Sequence, residues 1–110
     1  MNQFKIYSVN LDPTVGAEIN KLRPCIIVSP DAMNKYLRTV IVVPLTTPQR
    51  NLPTRVLIKA NPTSGLKNDS YAVLDQVKTI DKSRITGLIG EISEAEKHNL
   101  SETLKEMFDY

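Results

Sequence analysis

Apolar residues recur along this chain in short runs separated by turn-forming residues, a pattern that predicts strands rather than long helices. Phe4 to Leu11 alternates loosely and predicts a first strand, closed by Asp12-Pro13 and Gly16. Arg23 to Ser29 is apolar and β-branched, so it reads as a buried strand that Pro30 stops. The segment Asp31 to Tyr36 then reads as a helical turn with Asp31 as its cap. Arg38 to Leu45, with Val40, Ile41, Val42 and Val43 in succession, is the strongest strand signal in the chain. Pro48 and Pro53 bracket a loop, because proline is excluded from central strands. Strands are further predicted over Thr54–Ile58, Tyr71–Leu74, Val77–Ile80 and Ile85–Ile92. Many short strands with Gly/Pro turns predict a mainly β fold, a small antiparallel barrel, since that shape leaves the fewest open edges.

The period changes after residue 92. Ser93 followed by Glu96 forms a capping box, and Leu100, Leu104, Met107 and Phe108 then fall on one stripe of a helix. That stripe is expected to pack on the barrel, with His98 about half a turn away and facing solvent. The expected organisation is a single domain over residues 1–110, with the barrel over 1–92 and the helix over 93–109.

Composition narrows the class. A chain of 110 residues with 41% apolar and 24% charged side chains is one ordered domain. No apolar run approaches the ~20 residues that span a bilayer, and Met1 to Tyr7 lacks the apolar region of a signal peptide. The lone Cys25, inside an apolar strand, reads as a small core residue in a reducing compartment. A cytoplasmic protein without membrane contact is the expectation. Net charge is +2, but residues 1–90 carry a balance of +6 and residues 91–110 one of −4. Between residues 20 and 60, Lys21, Arg23, Lys35, Arg38, Arg50, Arg55 and Lys59 face only Asp31. Either this is a solubilising surface or a polyanion binds one face; charge alone weighs the two equally.

Several chemistries drop out. One histidine and one cysteine far apart give no zinc site, and glycines at 16, 65, 87 and 90 form no phosphate loop. There is no histidine pair to shuttle protons, and carboxylates are sparse in the barrel, which weakens a two-metal site.

Three segments carry a family resemblance. Asn10 to Pro24 reads NLDPTVGAEINKLRP, Val40 to Thr47 reads VIVVPLTT, and Val73 to Arg84 reads VLDQVKTIDKSR. In that order they resemble the "LDPTxGSE…RP", "VIVxPLT" and "LxDQxRTIDKxR" segments of the MazF/PemK toxin endoribonucleases. The resemblance implies the SH3-like barrel shared by MazF and CcdB, with a C-terminal helix. It implies the toxin of a type II toxin–antitoxin system, a sequence-specific endoribonuclease that cuts single-stranded mRNA without metal or other cofactor and arrests growth. It also implies a homodimer, restrained by a MazE-like antitoxin with an acidic C-terminal tail and reaching operator DNA only through that antitoxin.

Carried over position by position, Arg23 matches the arginine of "RP" and Thr46 the first threonine of "PLT". Both are implied to contact the scissile phosphate, Arg23 as charge stabiliser and as acid or base, Thr46 as hydrogen-bond donor. The chemistry suits RNA, which supplies its own nucleophile in the 2′-OH, while a guanidinium forks onto two phosphate oxygens. Glu18, the glutamate of "GSE", is a third catalytic candidate that either orients Arg23 or binds a base edge. Asp75 and Gln76 match "DQ" and either bind RNA or brace the barrel. Lys21, Arg50, Arg55, Lys78 and Arg84 are candidate RNA contacts, as are Asn34 and Tyr36, the latter as a stacking platform. The bland alternatives are a surface cation at Arg23, a strand end at Thr46, solvated charges, a turn asparagine and a half-buried tyrosine.

The chain also departs from the pattern. Gln3-Phe4-Lys5 stands where the family usually has Arg-Gly-Asp, Ala17 replaces Ser, and Ile19 to Leu22 replaces the glycines before Arg-Pro. Altered target preference and reduced activity are the expected consequences. Two rival readings remain: a CcdB-like gyrase poison acting by binding, and a non-catalytic SH3-like nucleic-acid module. CcdB-type proteins end in a tryptophan-containing tail, and this chain has no tryptophan.

Overall fold

The structure is a computed structural model and describes residues 1–48 and 52–110. The strands are β1 (Lys5–Asn10), β2 (Leu22–Ile27), β3 (Thr39–Thr46), β4 (Arg55–Ile58), β5 (Ser70–Val73), β6 (Lys78–Asp81) and β7 (Ile85–Glu91). Two helices, α1 (Asp31–Tyr36) and α2 (Glu94–Met107), and short 3-10 turns at Leu74–Gln76 and Lys82–Arg84 complete the described elements. All seven strands join one antiparallel sheet in the order β4-β5-β3-β2-β1-β7, with β6 beside β3 off that path.

The long strand β3 organises the molecule. Its first half pairs with β6, its last two residues pair with β5, and its other edge pairs with β2. One strand serving two partners along one edge bends the sheet, so both faces bury apolar side chains. One cluster joins Ile6, Ile26, Val43 and Leu45 to β4, β5 and α2. The other joins Val9, Cys25, Ile27, Val40 and Val42 to Leu11 and Ile80. Strict alternation along β2 and β3 sends consecutive residues to these two clusters.

Helix α2 follows from its sequence at the start and departs from it at the end. Ser93 accepts the Glu96 N–H and Glu96 accepts the Ser93 N–H, closing the expected capping box. The second carboxylate oxygen of Glu96 also accepts the Lys59 N–H at 2.8 Å, tying the helix to the end of β4. Leu100 is buried and Leu104 and Met107 pack on the first cluster, but Phe108 lies past the last turn and is 72% exposed. The apolar stripe therefore ends one residue earlier than its spacing predicts. His98 is exposed, as expected. In α1 the expected cap is wrong: Pro30 holds the cap position, and the Asp31 carboxylate instead accepts the Gln3 N–H.

Candidate active site

The β2–β3 register pairs Ile27 with Val42, Ile26 with Val43 and Cys25 with Pro44. The β2–β3 pairing ends there, and Arg23 and Thr46 each lie two residues beyond the last pair, at the same end of the sheet. Alternation puts both side chains on the Cys25–Pro44 face, at the end of the sheet where that buried cluster runs out. Both residues are half-buried. The Arg23 Nε donates to the Asn20 carbonyl at 3.2 Å, which anchors the guanidinium by its inner nitrogen and leaves its two terminal nitrogens to reach outward. Among the described residues Arg23 has no ion-pair partner.

The loop of residues 11–21 stands over this face and is pinned at several points. The Gln76 side chain accepts the Ile19 N–H at 2.7 Å and donates to the Ala17 carbonyl at 3.3 Å. The Asp12 carboxylate accepts the Lys21 N–H, and the Lys21 carbonyl accepts the Leu11 N–H, closing the loop's base. Lys21 does this at φ 65, a left-handed conformation that costs a side chain-bearing residue about 1 kcal/mol and glycine nothing. Beneath the loop is a cleft of about 220 Å³ lined by Glu18, Ile19, Pro44, Asp75, Gln76 and Lys78 among others.

Glu18 does not orient Arg23. Its carboxylate accepts the Val15 N–H at 2.7 Å and lies 3.8 Å from the Lys78 ammonium, so it shapes the loop and faces the cleft. Asp75 binds the Arg55 Nε at 3.1 Å and the Thr54 hydroxyl at 3.0 Å. Partial burial pushes the Asp75 carboxyl up, but those two donors and its own backbone N–H outweigh it and hold the group below the usual carboxylate range. Arg55 and Asp75 thus brace β4 against the turn after β5. The Arg84 guanidinium donates to the carbonyls of Asn10 and Asp12, holding the start of the loop. Lys21 is exposed. Arg50 lies outside the described residues.

Asn34 and Tyr36 are not brought to Arg23. They follow β2 at its far end, roughly 20 Å along the strand direction from Arg23 at ~3.3 Å per residue. Asn34 is buried, its side chain bonded to Ser29, so it is a structural residue and cannot meet a ligand. Tyr36 is 77% exposed, with the Lys35 ammonium 5.5 Å from its ring, and stays available for stacking at a distance. Cys25 is fully buried and burial pushes its thiol up to about 12 against the pull of Lys78, which leaves it an inert core residue. Among the described residues no three His, Cys, Asp or Glu side chains lie close enough to hold a metal ion.

Sequence reasoning missed Asn20, whose backbone carbonyl positions Arg23, and the wall formed by Lys67 and Asn68 beside Pro24 and Thr47. A backbone acceptor leaves no side-chain signal, and that wall arises from packing between distant segments.

The PemK-like, MazF-like toxin family of type II toxin–antitoxin systems matches residues 2–108. The chain belongs to that family. It is 39% identical over 111 residues to endoribonuclease MazF9 of Mycobacterium tuberculosis, covering 96% of this chain and 93% of that one. It is 33% identical over 102 residues to endoribonuclease EndoA of Bacillus subtilis, covering 91% and 87%. A mycobacterial endoribonuclease solved in complex with its cognate antitoxin superposes with a TM-score of 0.80 at 25% identity, over 96% of this chain and 92% of that one. The MazF fold, an antiparallel seven-stranded sheet with a C-terminal helix, is therefore the frame in which Arg23 and Thr46 sit.

Proposed function

We propose that this chain is the toxin of a type II toxin–antitoxin pair, an endoribonuclease that cleaves single-stranded RNA at preferred sequences without a metal ion. The observation that carries this reading is that Arg23 and Thr46 each lie two residues beyond the Cys25–Pro44 pair, at one end of the sheet, in a chain whose relatives are named endoribonucleases. The 2′-OH of the substrate gives up its proton and attacks the adjacent phosphorus in line, and as that P–O bond forms the bond to the 5′-oxygen of the next nucleotide breaks, the departing oxygen taking up a proton. The terminal nitrogens of Arg23 fork onto two non-bridging oxygens and stabilise the charge that develops on the phosphorane. The Thr46 hydroxyl donates to the same group and fixes its orientation. The products are a 2′,3′-cyclic phosphate, or the 3′-phosphate from its opening, and a 5′-hydroxyl. The gyrase-poison and non-catalytic readings gain nothing from relatives of that kind.

The working unit we place at a two-fold dimer. A cleft of about 420 Å³ between the sheet and the end of α2 is lined by Val28, Ile41, Val77, Leu104 and Phe108, an apolar surface suited to a second copy. A MazE-like antitoxin with an acidic tail then occupies the RNA site, drawn by the cationic groups around Arg23. The acidic helix α2 packs on the opposite face of the sheet from Arg23 and lies outside that site. Operator DNA is reached through the antitoxin, and the cytoplasm is the working compartment. No described helix is long and apolar enough to cross a membrane.

The test is incubation of the pure protein with a long single-stranded RNA in EDTA, followed by primer extension. Discrete cuts in a shared sequence context are expected. Activity lost in EDTA and restored by magnesium overturns the metal-free mechanism.

A further inference from the structure

A second cleft, of about 340 Å³, lies on the other face of the sheet from the Glu18–Gln76 cleft, at the same end. It touches Pro24 and Thr47, the immediate neighbours of Arg23 and Thr46, so the two clefts straddle the candidate phosphate site. Its floor is apolar, from Pro24, Leu66 and Ile89, and its rim carries Thr47, Lys67 and Asn68. All three rim residues are exposed, so their side chains can meet a ligand. An apolar floor with amide, hydroxyl and ammonium donors at the edge is the lining that accepts a nucleobase.

The wall is built to hold its shape. The Asn61 side chain accepts the Thr63 and Ser64 N–H groups, Ser64 donates to the Lys59 carbonyl, and Asp69 accepts the Ala60 N–H. Gly65, at φ 69, lies so close to β7 that an added Cβ would stand 2.2 Å from the Ile89 carbonyl oxygen. At Gly90 an added Cβ would stand 2.3 Å from the Ser64 carbonyl oxygen. Only glycine at these two positions lets the 59–69 loop seat against β7 and form one side of the cleft.

We propose that this cleft is a base-selecting subsite for a nucleotide flanking the cut, with Asn68 reading the base edge and Lys67 holding an adjacent phosphate. This rests on the ribonuclease reading above. The chain of the substrate then passes over the end of β2 and β3, with its scissile phosphate at Arg23 and neighbouring bases on either face of the sheet. A side-chain amide offers both a donor and an acceptor, which is the pattern that tells one base edge from another.

The experiment cleaves a library of single-stranded RNAs, randomised on both sides of the cut, with the parental protein, Asn68→Ala and Lys67→Ala. Asn68→Ala is expected to lose about tenfold of the discrimination at one flanking position and to keep it elsewhere. Lys67→Ala is expected to raise KM several-fold, with a shallower salt dependence and unchanged sequence preference. A parental protein that cuts with a profile neither variant alters overturns the subsite and leaves the ribonuclease reading standing. Equal loss at all positions also overturns it, because that is the mark of a structural role. A parental protein that cuts no member of the library removes the ribonuclease reading and the subsite together.

Discussion

At the scale of single residues, an arginine held by its inner nitrogen and a threonine at the same end of the sheet carry the proposed chemistry. Arg23→Ala and Thr46→Ala are each expected to lower the cleavage rate by about a hundredfold or more, the effect of deleting one transition-state hydrogen-bond donor. Thermal unfolding of both variants should match the parent, since the Asn20 carbonyl that Arg23 binds is exposed to water. Arg23→Lys should recover only part of the rate, because an ammonium lacks the fork. Stopped-flow assays that find parental rates in Arg23→Ala contradict the assignment. A different group sets the response to acid. Asp69, Asp75 and Asp81 all hold their carboxyls below the ordinary 3.8, through the Ala60 N–H for Asp69 and through Ser83 for Asp81. Lowered folded values mean that this stability is fully present above about pH 4 and disappears as pH falls through the folded values. Asp75→Asn should therefore flatten the acid limb of a Tm–pH profile, and an unchanged limb excludes Asp75 as a contributor.

At the scale of elements, the strands were legible because β-branched runs and proline stops act locally. β3 was the clearest, since Val40 to Val43 is buried on both faces except at Ile41. The capping box was legible for the same reason, as its partners are three residues apart. What was not legible depends on distant contacts. Glu96 also holds the Lys59 N–H, Asp31 serves Gln3 in place of its own helix, and Asn34 is buried by Ser29. Phe108 kept the helical period but had no turn left to carry it into the core. Glu18 sat at the right place in the motif, yet its bond to Val15 gives it to the loop. Two truncations separate the roles of the α2 cap. Ser93→Ala should cost about 1 kcal/mol, the usual value of a lost cap. Glu96→Ala should cost about 1–3 kcal/mol beyond that, because the Lys59 N–H loses its partner as well. Equal costs in urea denaturation would show that the bond between α2 and β4 contributes nothing.

At the scale of the whole molecule, the candidate phosphate site and the apolar cleft proposed for a second copy lie toward different ends of the sheet. Arg23 and Thr46 lie where β2 begins and β3 ends, while α1 and the exposed Phe108 lie toward the far end of the same strands. One protomer does not bring Tyr36 near Arg23, and the proposed two-fold partner would extend the surface open to RNA. Phe108→Glu, at a position exposed in the single chain, should leave folding intact and shift sedimentation from dimer to monomer at micromolar concentration. A variant that still sediments as the parent places the two-fold elsewhere, and a parent that is monomeric and active defeats the dimer. The uneven charge of the chain belongs to this scale too, because a basic site with an acidic helix on the opposite face directs a polyanion to one side.

The central claim is that the substrate supplies its own nucleophile while Arg23 and Thr46 stabilise the transferring phosphate. The direct measurement is cleavage, in EDTA, of an RNA carrying a single 2′-deoxyribose immediately 5′ of the mapped cut, beside the all-ribose parent. The account predicts that the parent is cut to a 2′,3′-cyclic phosphate and a 5′-hydroxyl and that the deoxy substrate binds but is not cut at that position. Cleavage of the deoxy substrate at the parental rate, or a 5′-phosphate on the product, would contradict it.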